Sequence, residues 1–204
     1  MEARKTNGFD FQNRTDLNDE RLRALCTGAL WPWRTGRLIV RVRYSRGADF
    51  SGSCYYGEGR IFVNLGRHLK FPYRMGTHLA RAVTTQEGWW KPIYTIELAD
   101  AYQVVLYVFL HECFHWLVKR ARRNPRQKES MCDRFAARIL VDLHGATVRD
   151  ADGCPVLRTE WDFQDVEGFI SRLLRKRPAS PIPARAATGP RPKPRQQQLL
   201  LFDL

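Results

Sequence analysis

The sequence predicts one α+β domain of moderate size. Two segments alternate apolar and polar residues with the period of half-exposed strands, "GRLIVRVRYS" at Leu38 to Tyr44 and "GEGRIFVNLG" at Arg60 to Leu65. A long apolar stretch from about Ile96 to Arg122 reads as a helix covered on every side. A second helix, "ESMCDRFAARILVDLHG", follows a break at Pro125 and stops at Gly145. The 204 residues allow one hydrophobic core and an appendage rather than two domains.

In chain order, residues 1–15 form a polar lead-in and residues 16–177 the domain. "DLNDERLRALCTGAL" (Asp16 to Leu30) has helical spacing, with Asp16 or Asn18 as its cap. "SRGADFSGSCYYGEG" joins the two strands as a loop or hairpin connection. Arg67 to Pro92 is basic and aromatic and mixes a short helix with loop. "TVRDADGCPVLRT" carries Asp-Gly turn chemistry between β-prone runs, predicting a hairpin. "EWDFQDVEGFISRLLRKR" reads as an amphipathic helix with acid at its start and base at its end, matching the helix dipole. Residues 178–197 are rich in proline, alanine and arginine and predict a disordered linker. The chain then turns apolar again in residues 198–204, "QLLLFDL".

Lys and Arg number 34 against 21 Asp and Glu, a net charge of +13, which suits polyanionic partners such as DNA. Five scattered cysteines with no CxxC pair indicate neither a disulfide framework nor a cysteine zinc site, and predict a reducing compartment. The N-terminus has no apolar signal segment and no later run has the length of a membrane span. The expectation is a cytoplasmic protein, associated with the nucleoid if DNA is its partner.

"LYVFLHECFHWLVK" sets His111, Glu112 and His115 in an HExxH pattern within the apolar helix. Positions i and i+4 share a helix face, so both imidazoles can converge on one Zn²⁺, while Glu112 lies about 100° round, free to act as general base and later acid. Two histidines and a carboxylate placed in a dry core without a partner would carry a heavy desolvation cost. The third ligand is expected from the next helix. Glu129 stands at its start, and Asp133, one turn later, can hold the distal nitrogen of a ligating imidazole. His144, farther along the same helix, is the competing ligand. His68 and His78 read as surface or packing residues, and Cys113 and Cys132 as small buried hydrophobes. Tyr55, Tyr56, Trp89 and Trp90 are either core residues or aromatics that stack bases or line a cleft. "VKRARRNPRQK" is either a solvated helix end or a phosphate-binding run.

HECFH followed by "ESMCDRFAARIL" resembles the zincin metallopeptidases whose second helix carries a Glu-x-x-x-Asp element, and the basic character resembles the SprT-like (Spartan) branch. The resemblance spans about Arg60 to Leu143. It implies a zincin-like domain, a small mixed sheet packed on the active-site helix, with "RIFVNL" offering its edge to an extended protein substrate. SprT-like proteases usually take a third histidine as ligand, whereas Glu129 stands at about that distance here. "QLLLF" resembles the bacterial sliding-clamp binding peptide. In that likeness Gln198 and Leu199 open the motif, Leu201 and Phe202 fill an apolar pocket, and the origin is bacterial or phage; the other reading is a hydrophobic strap folded back on the domain. Together these features lead to the expectation of a zinc-dependent endopeptidase working near DNA and recruited to the replication clamp. The alternatives are a non-catalytic DNA or clamp adaptor with a structural metal, and a regulatory protease that cleaves a specific repressor.

Overall fold

A sheet of alternating strands carries one central helix. The computed structural model describes residues 9–30, 33 and 36–174. β1 (Phe9–Arg14) leads through α1 (Asp19–Leu30) into β2 (Leu38–Tyr44), which lies parallel to β1. β3 (Phe50–Tyr55) and β4 (Arg60–Leu65) form a hairpin, and β4 inserts parallel to β2, so the sheet order is β1-β2-β4-β3. The pleat separates the two faces. Phe11, Val40, Val42, Ile61 and Val63 are buried, while Arg14, Arg43 and Ser51 on the opposite face are exposed.

β5 (Tyr73–Thr77), β6 (Val83–Thr85), β7 (Gly88–Trp90) and β8 (Tyr94–Leu98) come next, followed by α2 (Ala101–Arg120), α3 (Glu129–His144) and β9 (Thr147–Arg149). β5, β8 and β9 make a second antiparallel sheet in that order, and β6 and β7 pair as a separate ribbon. Two short helices, α4 (Arg158–Trp161) and α5 (Val166–Leu174), close the described chain. α2 lies against β3 and β4 on one side and α3 on another, with α1 also in contact. That enclosure explains why it is apolar all round: Val104, Val105, Phe109, Leu110, Phe114 and Val118 are all buried. The chain is therefore α+β. No helix among the described residues is long and apolar enough to cross a membrane.

Several expectations are corrected. Part of the polar lead-in is a strand, β1, because Phe9 and Phe11 alternate with Asp10 and Gln12 and pair along β2. The connection between the first two expected strands contains a third, β3. Arg67 to Pro92 has no helix; its residues form β5, β6 and β7. α2 starts at Ala101 rather than near Ile96, since the β-prone run "YTIEL" pairs with β5 and Asp100 supplies the cap. The Asp100 carboxylate accepts the Gln103 N–H at 2.9 Å, and the Gln103 side-chain oxygen accepts the Ala99 N–H at 2.9 Å. β9 pairs with β8 rather than forming a full local hairpin, leaving one bridge from Arg149 to Pro155. The last expected helix is split into α4 and α5 around Asp162 to Asp165. β4 is interior, so "RIFVNL" offers no free edge; the edge strand over α2 is β3.

The C-terminal segment is tied to α3 by Arg134, which is almost fully buried. Its guanidinium donates to the carbonyls of Trp161 (2.7 Å), Ser130 (2.8 Å) and Leu79 (2.7 Å) and to the Gln164 side-chain oxygen (2.8 Å). The Phe163 ring stacks beneath it at 3.9 Å. Burial pulls its pKa down to about 10, yet it stays charged at neutral pH. Arg134→Met strands these acceptors. We expect it to cost on the order of 3 kcal/mol of unfolding free energy by urea denaturation, with early loss of protection in α4 and α5 by hydrogen exchange.

Candidate functional site

The α2–α3 connection sets the site. Its backbone takes left-handed turns at Arg122 (φ 58°) and Gln127 (φ 57°), so α3 returns alongside α2 with Glu129 in its first turn. The Glu129 carboxylate then lies 3.0 Å from His111 Nε2 and 3.4 Å from His115 Nε2. The other ring nitrogens are held from behind. His111 Nδ1 is 2.8 Å from Asp133 Oδ1, and His115 Nδ1 is 3.1 Å from the Pro125 carbonyl. A carbonyl only accepts, so His115 donates through Nδ1–H and its Nε2 lone pair faces Glu129.

With both rings neutral, their Nε2 lone pairs face the Glu129 carboxylate, an arrangement that a cation between them would satisfy. The geometry fits one. Donor atoms about 2.1 Å from a tetrahedral Zn²⁺ are about 3.4 Å apart, and the Glu129 separations, Oε2 to His111 and Oε1 to His115, lie near that value. Cys132 is a second candidate donor, since it and both histidines offer ligand atoms within 4.8 Å of one another. Burial drives the Cys132 thiol strongly toward its protonated form. Glu129 and Cys132 are thus both placed to complete a donor set with the two histidines. His144, the competing ligand, is the last residue of α3, and its carbonyl accepts from Gln103 at 2.7 Å, away from this cluster. Cys113 is buried in the core, and all five cysteines are unpaired.

Asp133 is buried, and its Oδ2 accepts the His78 backbone N–H at 2.6 Å, with His78 Nδ1 at 3.2 Å. Burial works to raise the Asp133 pKa, but the His111 hydrogen bond and charge and the His78 N–H outweigh it, so the carboxylate stays ionised. His111 feels the reverse balance: burial disfavours its charge, while Asp133, Glu112 and Glu129 raise its pKa overall. His115 is pulled down by burial and by the neighbouring His111. His78, read from the sequence as a surface or packing residue, is an exposed side chain whose backbone props the site. Tyr107 lies close enough for its buried hydroxyl to feel Asp133, but it makes no hydrogen bond of sound geometry.

Glu112 lies against β3, within the electrostatic reach of His111 and Glu129. A Cβ at Gly52 would sit 2.5 Å from Glu112 Oε1 and 2.6 Å from its Cγ, so only glycine leaves room there. Burial, with Glu129 adding to it against His111, raises the Glu112 pKa. Cys54 and Tyr56 share its field: burial and Glu112 push the Cys54 thiol up to about 12, and burial with Cys54 and Glu112 pushes the Tyr56 phenol up to about 12. Glycine in an apparent loop gave no sign of this role. Only a correct placement of β3 over α2 would have exposed it.

Gln198, Leu199, Leu201 and Phe202 lie outside the described residues. Comparison of the chain with protein-family models, curated proteins and solved structures returns no match.

The donor geometry makes a specific prediction for zinc titration by calorimetry. Glu129→Ala should lose at least tenfold in affinity and Asp133→Ala about 10- to 100-fold, whereas Cys132→Ser should bind as the wild type does. Equal losses for Cys132→Ser and Glu129→Ala would place the thiol in the ligand set.

Proposed function

We propose that the chain is a zinc-dependent endopeptidase of the zincin kind, similar to SprT-like proteases, that works beside DNA. The observation that carries this reading is the single Glu129 carboxylate set against both HExxH Nε2 atoms, with Glu112 left outside that cluster and alongside it. His111, His115 and Glu129 would hold the ion, and Asp133 would orient His111. When bound, zinc supplies Lewis-acid polarisation of the scissile carbonyl and makes a water more acidic.

The residues of this chain do the rest. Glu112, its pKa raised by burial, takes a proton from the attacking water at a carboxylate oxygen and returns it to the leaving amine nitrogen as the C–N bond breaks. β3, the edge strand bordering Glu112, can pair its outer backbone groups with an extended substrate. Glu112→Gln should keep zinc and lower the rate of protein cleavage by at least about 10²-fold; proteolysis retained in that variant rejects the assignment. Gly52→Ala should also keep zinc while lowering kcat, because its methyl group displaces Glu112.

Cys132 favours a second reading, a non-catalytic adaptor with a structural metal. If the thiol joined both histidines and Glu129, four protein donors would close the site, as in structural zinc centres. Cobalt substitution separates the two, since thiolate ligation adds an intense near-ultraviolet charge-transfer band that three nitrogen and oxygen donors lack.

The C-terminal residues Gln198, Leu199, Leu201 and Phe202 would recruit the enzyme to a bacterial sliding clamp. Replacing Leu201 and Phe202 by Ala should weaken clamp binding by at least tenfold in surface plasmon resonance, as expected of the anchors of such a peptide. Unchanged affinity would remove recruitment from the proposal.

A further inference from the structure

The face of the four-stranded sheet that α2 does not cover is built from arginines and aromatic rings. Register places Gln12, Arg41, Phe62 and Ser53 in one row across the strands, and Arg14, Arg43, Asn64 and Ser51 in the next. Arg60 and Tyr55 pair in a third row. Phe62 stands near the middle, with the Tyr55 ring edge-on at 5.6 Å and the Arg43 guanidinium over it at 4.7 Å. Tyr55 is 52% exposed.

The charge on this face is unbalanced. Asp10 is held by Arg41 at 2.8 Å and Glu58 by Arg60 at 2.7 Å, so both acids are already paired. Arg14 and Arg43 are exposed and meet no carboxylate at ion-pair distance among the described residues; Arg43 Nε instead donates to Asn64 Oδ1 at 2.7 Å. Two shallow hollows, about 390 and 580 Å³, meet at Arg43. A guanidinium fixed over a ring by a neighbouring amide is arranged both to stack on a base and to reach a phosphate.

We propose that this open sheet face binds single-stranded nucleic acid, with Arg14 and Arg43 on backbone phosphates, Phe62 bracing the Arg43 guanidinium, and the exposed Tyr55 ring beside it as the stacking surface. A chain of unpaired bases supplies both things the face lacks, a run of negative charge and flat apolar surfaces; a duplex offers the charge but keeps its bases stacked inside. The site lies on the side of the sheet opposite Glu112, because Gly52 and Ser51 are adjacent in β3 and point to opposite faces. A bound strand would thus leave the proposed peptidase cleft open. The inference extends the reading that the chain works beside DNA, and it does not depend on catalysis.

The test is fluorescence anisotropy of the full-length chain with labelled (dT)20 and with a duplex of equal length, across a salt series. Arg14→Gln with Arg43→Gln should weaken (dT)20 binding severalfold and flatten the dependence of log Kd on log salt by about 1.4, the contribution of two phosphate contacts on a single strand. Tyr55→Leu, which keeps an apolar side chain in place, should weaken (dT)20 roughly fivefold or more and leave duplex binding unchanged. The Arg120→Gln, Arg122→Gln and Arg123→Gln triple variant, at the α2–α3 turn, should bind (dT)20 as the wild type does. Wild-type affinity and slope in the Arg14/Arg43 variant, or tighter binding to duplex than to single strand, would overturn the proposal. Because the readout is binding, loss of cleavage in Glu112→Gln leaves this result unaffected.

Discussion

The contact between His111 Nδ1 and Asp133 Oδ1 is the interaction on which the site depends. It joins α2 to α3 across a buried seam and decides which nitrogen of His111 remains to meet Glu129. It also explains how Asp133 can be charged where water is excluded. An isolated carboxylate in that position would cost several kcal/mol. Here the imidazole N–H and the His78 backbone N–H satisfy it, and the second of these brings the loop after β5 into the same network. One buried acid therefore fixes a ring, two helices and a loop.

The network also explains why α3 is shaped as it is. Asp133 and Arg134 are neighbours, both buried and charged, and face different tasks. Asp133 turns toward α2 and the histidines, while Arg134 turns toward carbonyls of Leu79 and Trp161. Glu129, one turn before Asp133, is half exposed. A half-exposed carboxylate at the rim, a buried acid behind His111 and a buried guanidinium on one helix give the cluster a closed back and an open front.

How much of this was legible in the sequence differs with the kind of information needed. The HExxH spacing lies within one helix, so the convergence of His111 and His115 follows from helix geometry alone. The Glu129 and Asp133 pair needed only one further assumption, that the turn at Pro125 folds the second helix back. β2 and β4 were equally plain, because alternation is local and their bounds match the periodic runs. β1 and β3 were hidden: Phe9 and Phe11 are a brief pattern in a polar stretch, and the Ser, Gly and Cys residues of β3 have weak strand preference, so pairing decides them. The same holds for the roles of Gly52, His78 and the Pro125 carbonyl. Each acts through long-range contact or through backbone, neither of which side-chain identity reports.

Gly52 has a consequence for motion as well as for space. It lies on an edge strand, paired on one side only, while the histidines are anchored between helices in the core. Edges of sheets open with less free energy than buried helices do. The two sides of the site thus rest on supports of unequal stiffness: His111 and Asp133 join two packed helices, while the space beside Glu112 is bounded by the outermost strand. Opening of β3 would therefore widen the space beside Glu112 while α2 and α3 stay packed.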